Sequence, residues 1–280
     1  MAQEVGIRWV SCETYDFETF PTTPEHCIYL QGGGGYNSWC SGRAFSNLEQ
    51  AVKRDVCLVL QGPVSVDGDT EWLNGRFESV LSEINCGQVC FFARESHTFE
   101  LLRGLALSER GVSLGLDHDT AFFLSKNDLL KMAGLISMPT GRYNLIVLRE
   151  DNEKPLVEKI PESAGLPSLE RVVTIDPAYE AHSFRHWVRI HLYAKSVQTN
   201  RLHSSIIAVL AGKTTVLGPG SYHKNQSVWQ YSLKGLGVVW KESITALPQS
   251  KLLGVLLSWF DSENSKVRRF LLAMKGVPLN

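Results

Sequence analysis

The sequence predicts an α/β protein of two open parallel domains, and three observations carry that prediction. Short β-rich apolar runs alternate with longer helical stretches along the chain, the pattern of parallel sheets flanked by helices. The halves carry opposite charge: residues 1–145 hold 11 Lys+Arg against 18 Asp+Glu, and residues 146–280 hold 17 against 11. Between them, residues 149–167 are polar, contain three prolines and show little periodicity. Domains 1–148 and 149–280 are therefore expected, facing across a cleft at the carboxyl ends of their strands, where open α/β sheets bind ligands.

Each element follows from its local pattern. In the first half, 27–30 (CIYL), 56–60 (VCLVL), 89–93 (VCFFA) and 144–148 (NLIVL) are continuous apolar runs ended by glycine, charge or turn residues, and read as buried strands. Residues 46–54, 76–84 and 98–108 place apolar side chains at helical spacing. In the second half, 171–175, 196–198 and 214–217 read as strands, and 184–194, 204–211, 226–233 and 265–275 as helices.

Composition excludes several classes. With 280 residues, 31.3 kDa and 44% hydrophobic residues, the chain has enough apolar surface for a large core and is not disordered. A net charge of -1 argues against a dedicated nucleic-acid binder. The first twenty residues carry acids where an export signal needs a basic start, so a cytoplasmic location is expected. The best apolar stretch, 252–260 (LLGVLLSWF), covers half a bilayer, and no membrane span is expected. The six cysteines fall in the first third without a familiar zinc spacing, so reduced thiols, no metal and no cofactor are expected.

Three segments are candidates for chemistry. Gly32 begins a glycine run, with Gly33, Gly34, Gly35, Tyr36 and Asn37, directly after a strand, where bare backbone can approach a ligand or simply turn. His118 and Asp119 in LDHD precede an apolar run; Asp119 or His118 at a strand end suits a general base, and a helix cap is the plainer alternative. Asn200 is expected to cap a helix whose first turn carries Arg201 and His203, two cationic-capable groups at a positive helix end. The next turn brings Ser221, Tyr222, His223, Lys224 and Asn225 to the start of another helix, so both turns converge on an anion. His182, His186 and His191 lack any zinc pattern and read as an exposed face.

The block NRLHSSIIAVLAGKTTVLGPGSYHKNQSVWQYSL resembles the C-terminal signature of polysaccharide pyruvyltransferases. GGGGYN, FFARES, LDHDTAFFL and IVLREDNE resemble further family segments in the same order, so the likeness spans about residues 27–240. It implies a GT-B-like arrangement of two Rossmann-like domains, with the acceptor on the first and an anionic donor on the second. It also implies phosphoenolpyruvate as that donor and a sugar of a glycan as acceptor, joined as a ketal. Arg201 and His203 would contact the donor, Lys224 would add a second cation, and Arg94 would reach in from the other domain. His203 and Asp119 are the candidate acid and base. The family's acid after the glycine loop has no counterpart in GGGGYNSWCSGR. A nucleotide-sugar-dependent glycosyltransferase would use the same helix starts, and an idle glycan-binding protein would retain the fold without turnover.

Overall fold

The computed structural model describes residues 19–40, 42–151 and 171–242. The expected helix 265–275, the apolar run 252–260, Cys12 and most of the 149–167 segment lie outside the described residues. The chain forms two compact units, Met1–Asp119 and Thr120–Asn280.

The first unit holds a parallel sheet in which β1 (Cys27–Leu30), β3 (Leu58–Asp67), β4 (Val89–Ala93) and β5 (Val112–Leu116) lie in that order, with β2 (Gly33–Asn37) also pairing β3. β3 is twice the length that its apolar run predicts, because Gly62-Pro63 does not end it. The register shifts there instead: β1 pairs with residues before the shift and β2 with residues after it. Proline, lacking an N–H, is tolerated in a strand at such an irregularity. Three helices connect the strands: α1 (Arg43–Val52), α2 (Thr70–Leu81) and α3 (Ser96–Gly104). Asp69 caps α2 by accepting from the Glu71 and Trp72 amides. Tyr36, Phe45, Phe77 and Phe91 form the aromatic centre of the core, with ring centroids 4.9–6.1 Å apart.

The second unit begins with a short helical turn, Thr120–Phe123, and α4 (Lys126–Ala133). α4 carries a capping box between Ser125 and Asp128 and ends at Gly134, whose φ of +63° is the left-handed conformation that favours glycine. Its sheet is parallel throughout, in the order β7 (Val172–Ile175), β6 (Tyr143–Val147), β8 (Ala194–Thr199), β9 (Thr214–Leu217), β10 (Val239–Trp240). Every side chain of β6 is buried, as expected of the inner strand of a covered parallel sheet. The connecting helices are α5 (Pro177–Glu180), α6 (Phe184–Leu192), α7 (Leu202–Leu210) and α8 (Lys224–Val228), the last running into a wider turn at Trp229–Leu233.

Two expectations are corrected here. The units divide after Asp119, not after residue 148. Ala121 and Phe122 pack on the Leu202, Ile206 and Val228 cluster, α4 packs on α6 and α7, and β6 pairs β7 and β8 in the second sheet. His186 and His191 are buried in α6, and only His182 of that trio is exposed. Among the described residues, no helix is long and apolar enough to cross a membrane.

Candidate functional site

In the first unit the glycine run is consumed by the fold. A Cβ on Gly32 would collide with the Pro63 carbonyl, so glycine is required where the β1–β2 turn crosses β3. Gly33, Gly34 and Gly35 lie in β2. The Tyr36 hydroxyl donates to Gln61 Oε1 at 2.6 Å inside the aromatic core, and burial pushes its pKa up. Asn37 Nδ2 donates to the Gly34 carbonyl at 2.6 Å, while Oδ1 accepts from the Cys40 amide at 2.8 Å. Tyr36 and Asn37 are thus core and turn residues, not groups of an open acceptor loop.

Arg94, after β4, and Asp119, after β5, meet each other. Arg94 Nη1 donates to Asp119 Oδ2 at 2.7 Å and Nε donates to Ser65 Oγ at 2.8 Å, with Arg94 and Asp119 both buried. A buried guanidinium matched by a carboxylate is electrically closed. The pairing commits Arg94 and Asp119 to each other within the first unit, where the sequence suggested a donor contact for Arg94 and a general base in Asp119. His118 is exposed, its amide donating to Asp117 Oδ1 at 2.7 Å. Tyr29, which the sequence did not single out, lies beside this pair: burial first, then the Asp119 and Asp117 charges, raise its pKa.

The second unit carries the more open arrangement. Its strand order reverses direction between β6 and β8, and ligands of open α/β sheets bind outside the carboxyl ends at such a switch point. Arg149 follows β6 there and Arg201 follows β8. Arg201 grips Asp176 with Nε–Oδ1 at 2.6 Å and Nη2–Oδ2 at 2.5 Å, and its Nη2 lies 3.1 Å from Asp151 Oδ2. Arg149 makes its own fork to Asp151, both bonds 2.9 Å. Burial would lower the Arg201 pKa, but the hydrogen bond and charge of Asp176, helped by Asp151, raise it instead. The two arginines and two carboxylates form a half-open, charge-balanced chain across the ends of β6, β7 and β8.

Neighbouring turns fix this chain in place. Asp176 also caps α5, accepting from the Ala178 amide at 3.2 Å, with Pro177 opening the helix. Asn200 is not the helix cap that its sequence position suggests. Its Oδ1 accepts from the Arg149 amide at 2.8 Å, tying β6 to β8, and Arg201 takes the capping position of α7. Asn225 Nδ2 donates to the Asn200 and Gly218 carbonyls at 2.7 and 2.9 Å, drawing the start of α8 to the ends of β8 and β9. Lys224 is buried with its ammonium 4.9 Å above the Tyr222 ring, a cation–π distance. His203 and Ser221 are exposed, and Tyr222 and His223 are half-buried.

The second unit therefore brings Arg201, His203 and the Ser221–Asn225 turn to one end of its sheet. Arg149, Asp151 and Asp176 were missed as a group. The available signals were the Arg-x-Asp after one strand and the Asp-Pro after the next, each too common alone to mark a site. Among the described residues, no group of three or more His, Cys, Asp or Glu could hold a metal ion.

No family model matches the chain, and no curated protein matches it. Among solved structures, it is similar to a functionally uncharacterized protein from Klebsiella pneumoniae, with a TM-score of 0.59 and 20% identity over 88% of this chain and 84% of that chain. At that identity the likeness speaks for the fold, a mixed α/β architecture with parallel sheets.

Proposed function

We propose that the protein is a transferase of glycan biosynthesis that moves a pyruvyl group from phosphoenolpyruvate to a sugar diol. The supporting observation is the cluster of basic side chains near the switch point of the second sheet: Arg201 at the start of the nine-residue α7, His203 in its first turn, and Lys224 on the adjacent turn. Arg201 commits Nε and Nη2 to carboxylates, which leaves Nη1 for an anion. The amides at the start of α7 add a positive end. A GT-B-like arrangement, with the acceptor held by the first unit, belongs to the same proposal.

The chemistry asks for two cationic contacts and one proton donor. His203 protonates the donor's methylene carbon, and a sugar hydroxyl adds to the cationic carbon that results. The C–O bond to phosphate then breaks, and the second hydroxyl closes the ketal. Of the two hydroxyl protons, one balances the proton placed on the methyl group and the other leaves with phosphate. Arg201 and Lys224 hold the donor's carboxylate and phosphate throughout.

A second reading, glycosyl transfer from a nucleotide-sugar, draws on the strand order of the second sheet, which is that of nucleotide-binding doubly wound folds. A thermal-shift comparison of phosphoenolpyruvate with UDP- and GDP-linked nucleotides separates the two. The expected result is a rise in Tm with phosphoenolpyruvate alone, lost in Arg201→Ala and Lys224→Ala. Selective stabilisation by a nucleotide would transfer the assignment to glycosyl transfer, and full turnover by Arg201→Ala would overturn the donor site.

A further inference from the structure

We propose that Cys27 and Cys57 are a redox-modification site, a thiol pair that closes reversibly to a disulfide on exchange with a low-molecular-weight disulfide. Their sulfurs lie 3.3 Å apart. Cys27 opens β1 and pairs in register with Leu58, the first residue of β3, and Cys57 lies in the bend directly before that strand. The Cys57 amide also donates to the His26 carbonyl at 3.0 Å, which fixes the backbone spacing of the two residues. Neighbouring strands are held about 4.8 Å apart, and a disulfide spans Cα atoms about 4.4–6.8 Å apart, so side-chain rotation alone can close the bond.

The other described cysteines lack this arrangement. Cys86 is buried, with its thiol on the Gln88 carbonyl at 3.6 Å, and burial pushes its pKa up. Cys90 is half-buried in β4 and Cys40 is exposed in a turn. Cys27 and Cys57 are both exposed as well as adjacent, so a small disulfide can reach either sulfur.

The hydrogen bonding sets the order of events. The Cys57 thiol lies 3.1 Å from the His26 carbonyl, which can only accept, so Cys57 donates there and Cys27 donates to Cys57 Sγ. That bond to Cys57, with partial burial and the neighbouring sulfur's charge, raises the Cys27 pKa. Because its sulfur already accepts that bond, Cys57 is assigned the first attack. Its thiolate displaces one glutathione thiolate from oxidised glutathione, leaving a mixed disulfide on Cys57. Cys27 then loses its proton and attacks the Cys57 sulfur, which releases the second glutathione. Two protein S–H bonds become one S–S bond, and one glutathione disulfide becomes two thiols.

The bridge would close a loop holding β1, β2 and α1 at the amino-terminal end of the first sheet. Ser65, Arg94 and Asp119 lie at the opposite, carboxyl end. The inference is independent of the proposed transferase activity.

The test incubates the full chain with oxidised glutathione, alkylates the remaining thiols and maps the peptides by mass. The expected product is a Cys27–Cys57 cross-link with two fewer alkylated cysteines. Its Tm should rise by about 5–10 °C, the scale of a loop of this length, and dithiothreitol should reverse the rise. Cys27→Ser, an exposed and mild change, should instead accumulate glutathione on Cys57 without a Tm gain. A glutathione adduct that persists on the unsubstituted chain, a bridge to a different cysteine, or unreacted thiols at Cys27 and Cys57 would each overturn the proposal.

Discussion

Both units set an arginine against a carboxylate at the carboxyl ends of parallel strands, yet they bury the pair to different degrees. In the first unit the Arg94 and Asp119 side chains are 2% and 5% exposed, with Ser65 completing the contacts. In the second, Arg201 is 14% exposed; its fork partner Asp176 is buried at 1%, but Asp151 is 26% exposed, and Arg149 extends the chain of charges. The difference separates a charge pair that holds three strands together from one that retains an edge toward solvent, where an anion can compete for the guanidinium.

The strongest way to break this comparison is Asp119→Ala. It leaves the Arg94 guanidinium buried with Ser65 but without a charged partner and should cost about 3–5 kcal/mol in denaturant unfolding. A loss under about 1 kcal/mol would show that the first pair is not closed and return Asp119 to the chemistry.

A pH titration sharpens the comparison from the second unit, where His191 is one of the buried basic groups. Burial lowers its pKa to about 4, against a partly offsetting bond from Nδ1 to the Trp187 carbonyl at 2.8 Å. The unfolded chain then binds a proton near pH 6.5 that the folded chain refuses until about pH 4. The stability contributed by neutral His191 is complete above the upper value and is lost as pH falls through that window, by up to about 3 kcal/mol. His191→Gln should flatten the slope of unfolding free energy between those pH values; an unchanged slope would place the titrating group elsewhere.

The smallest expected effect is that of Asp176→Asn. It weakens the fork to Arg201, whose Asp176 side is buried, and the cap of α5, and should cost about 1–2 kcal/mol. Unlike Asp119→Ala, it should also increase the Tm gain produced by inorganic phosphate, because Arg201 loses its main counterion. A reduced phosphate response would mean that Asp176 positions Arg201 for the anion and does not compete with it.

The legible parts of the molecule are those whose signal is local. Strands β4 and β9 have the limits that their apolar runs predict, and the helices α6 and α7 lie within two residues of their expected starts. Elements with weak or interrupted patterns were missed: β5 (VSLGL) contains a glycine, β2 is mostly glycine, and α4 is only eight residues long. α4 nevertheless displayed its capping box, Ser125 and Asp128, and its terminal Gly134. The charge asymmetry was sound but misplaced: divided after Asp119, the units hold 8 Lys+Arg against 17 Asp+Glu and 20 against 12, a sharper contrast than the original halves.

By itself the sequence determined the α/β class, the parallel strands and the meeting of two consecutive turns around Arg201 and Lys224. Each of these is encoded within a few residues, by apolar period, glycine placement and caps. Only the tertiary structure decided which charges face each other. Arg94 pairs with Asp119 across 25 residues, Arg201 pairs with Asp176 across 25, and β6 joins the second sheet and not the first. A parallel sheet brings distant strand ends side by side, and charge pairing follows that spatial order. Neighbours in the chain carry no record of it.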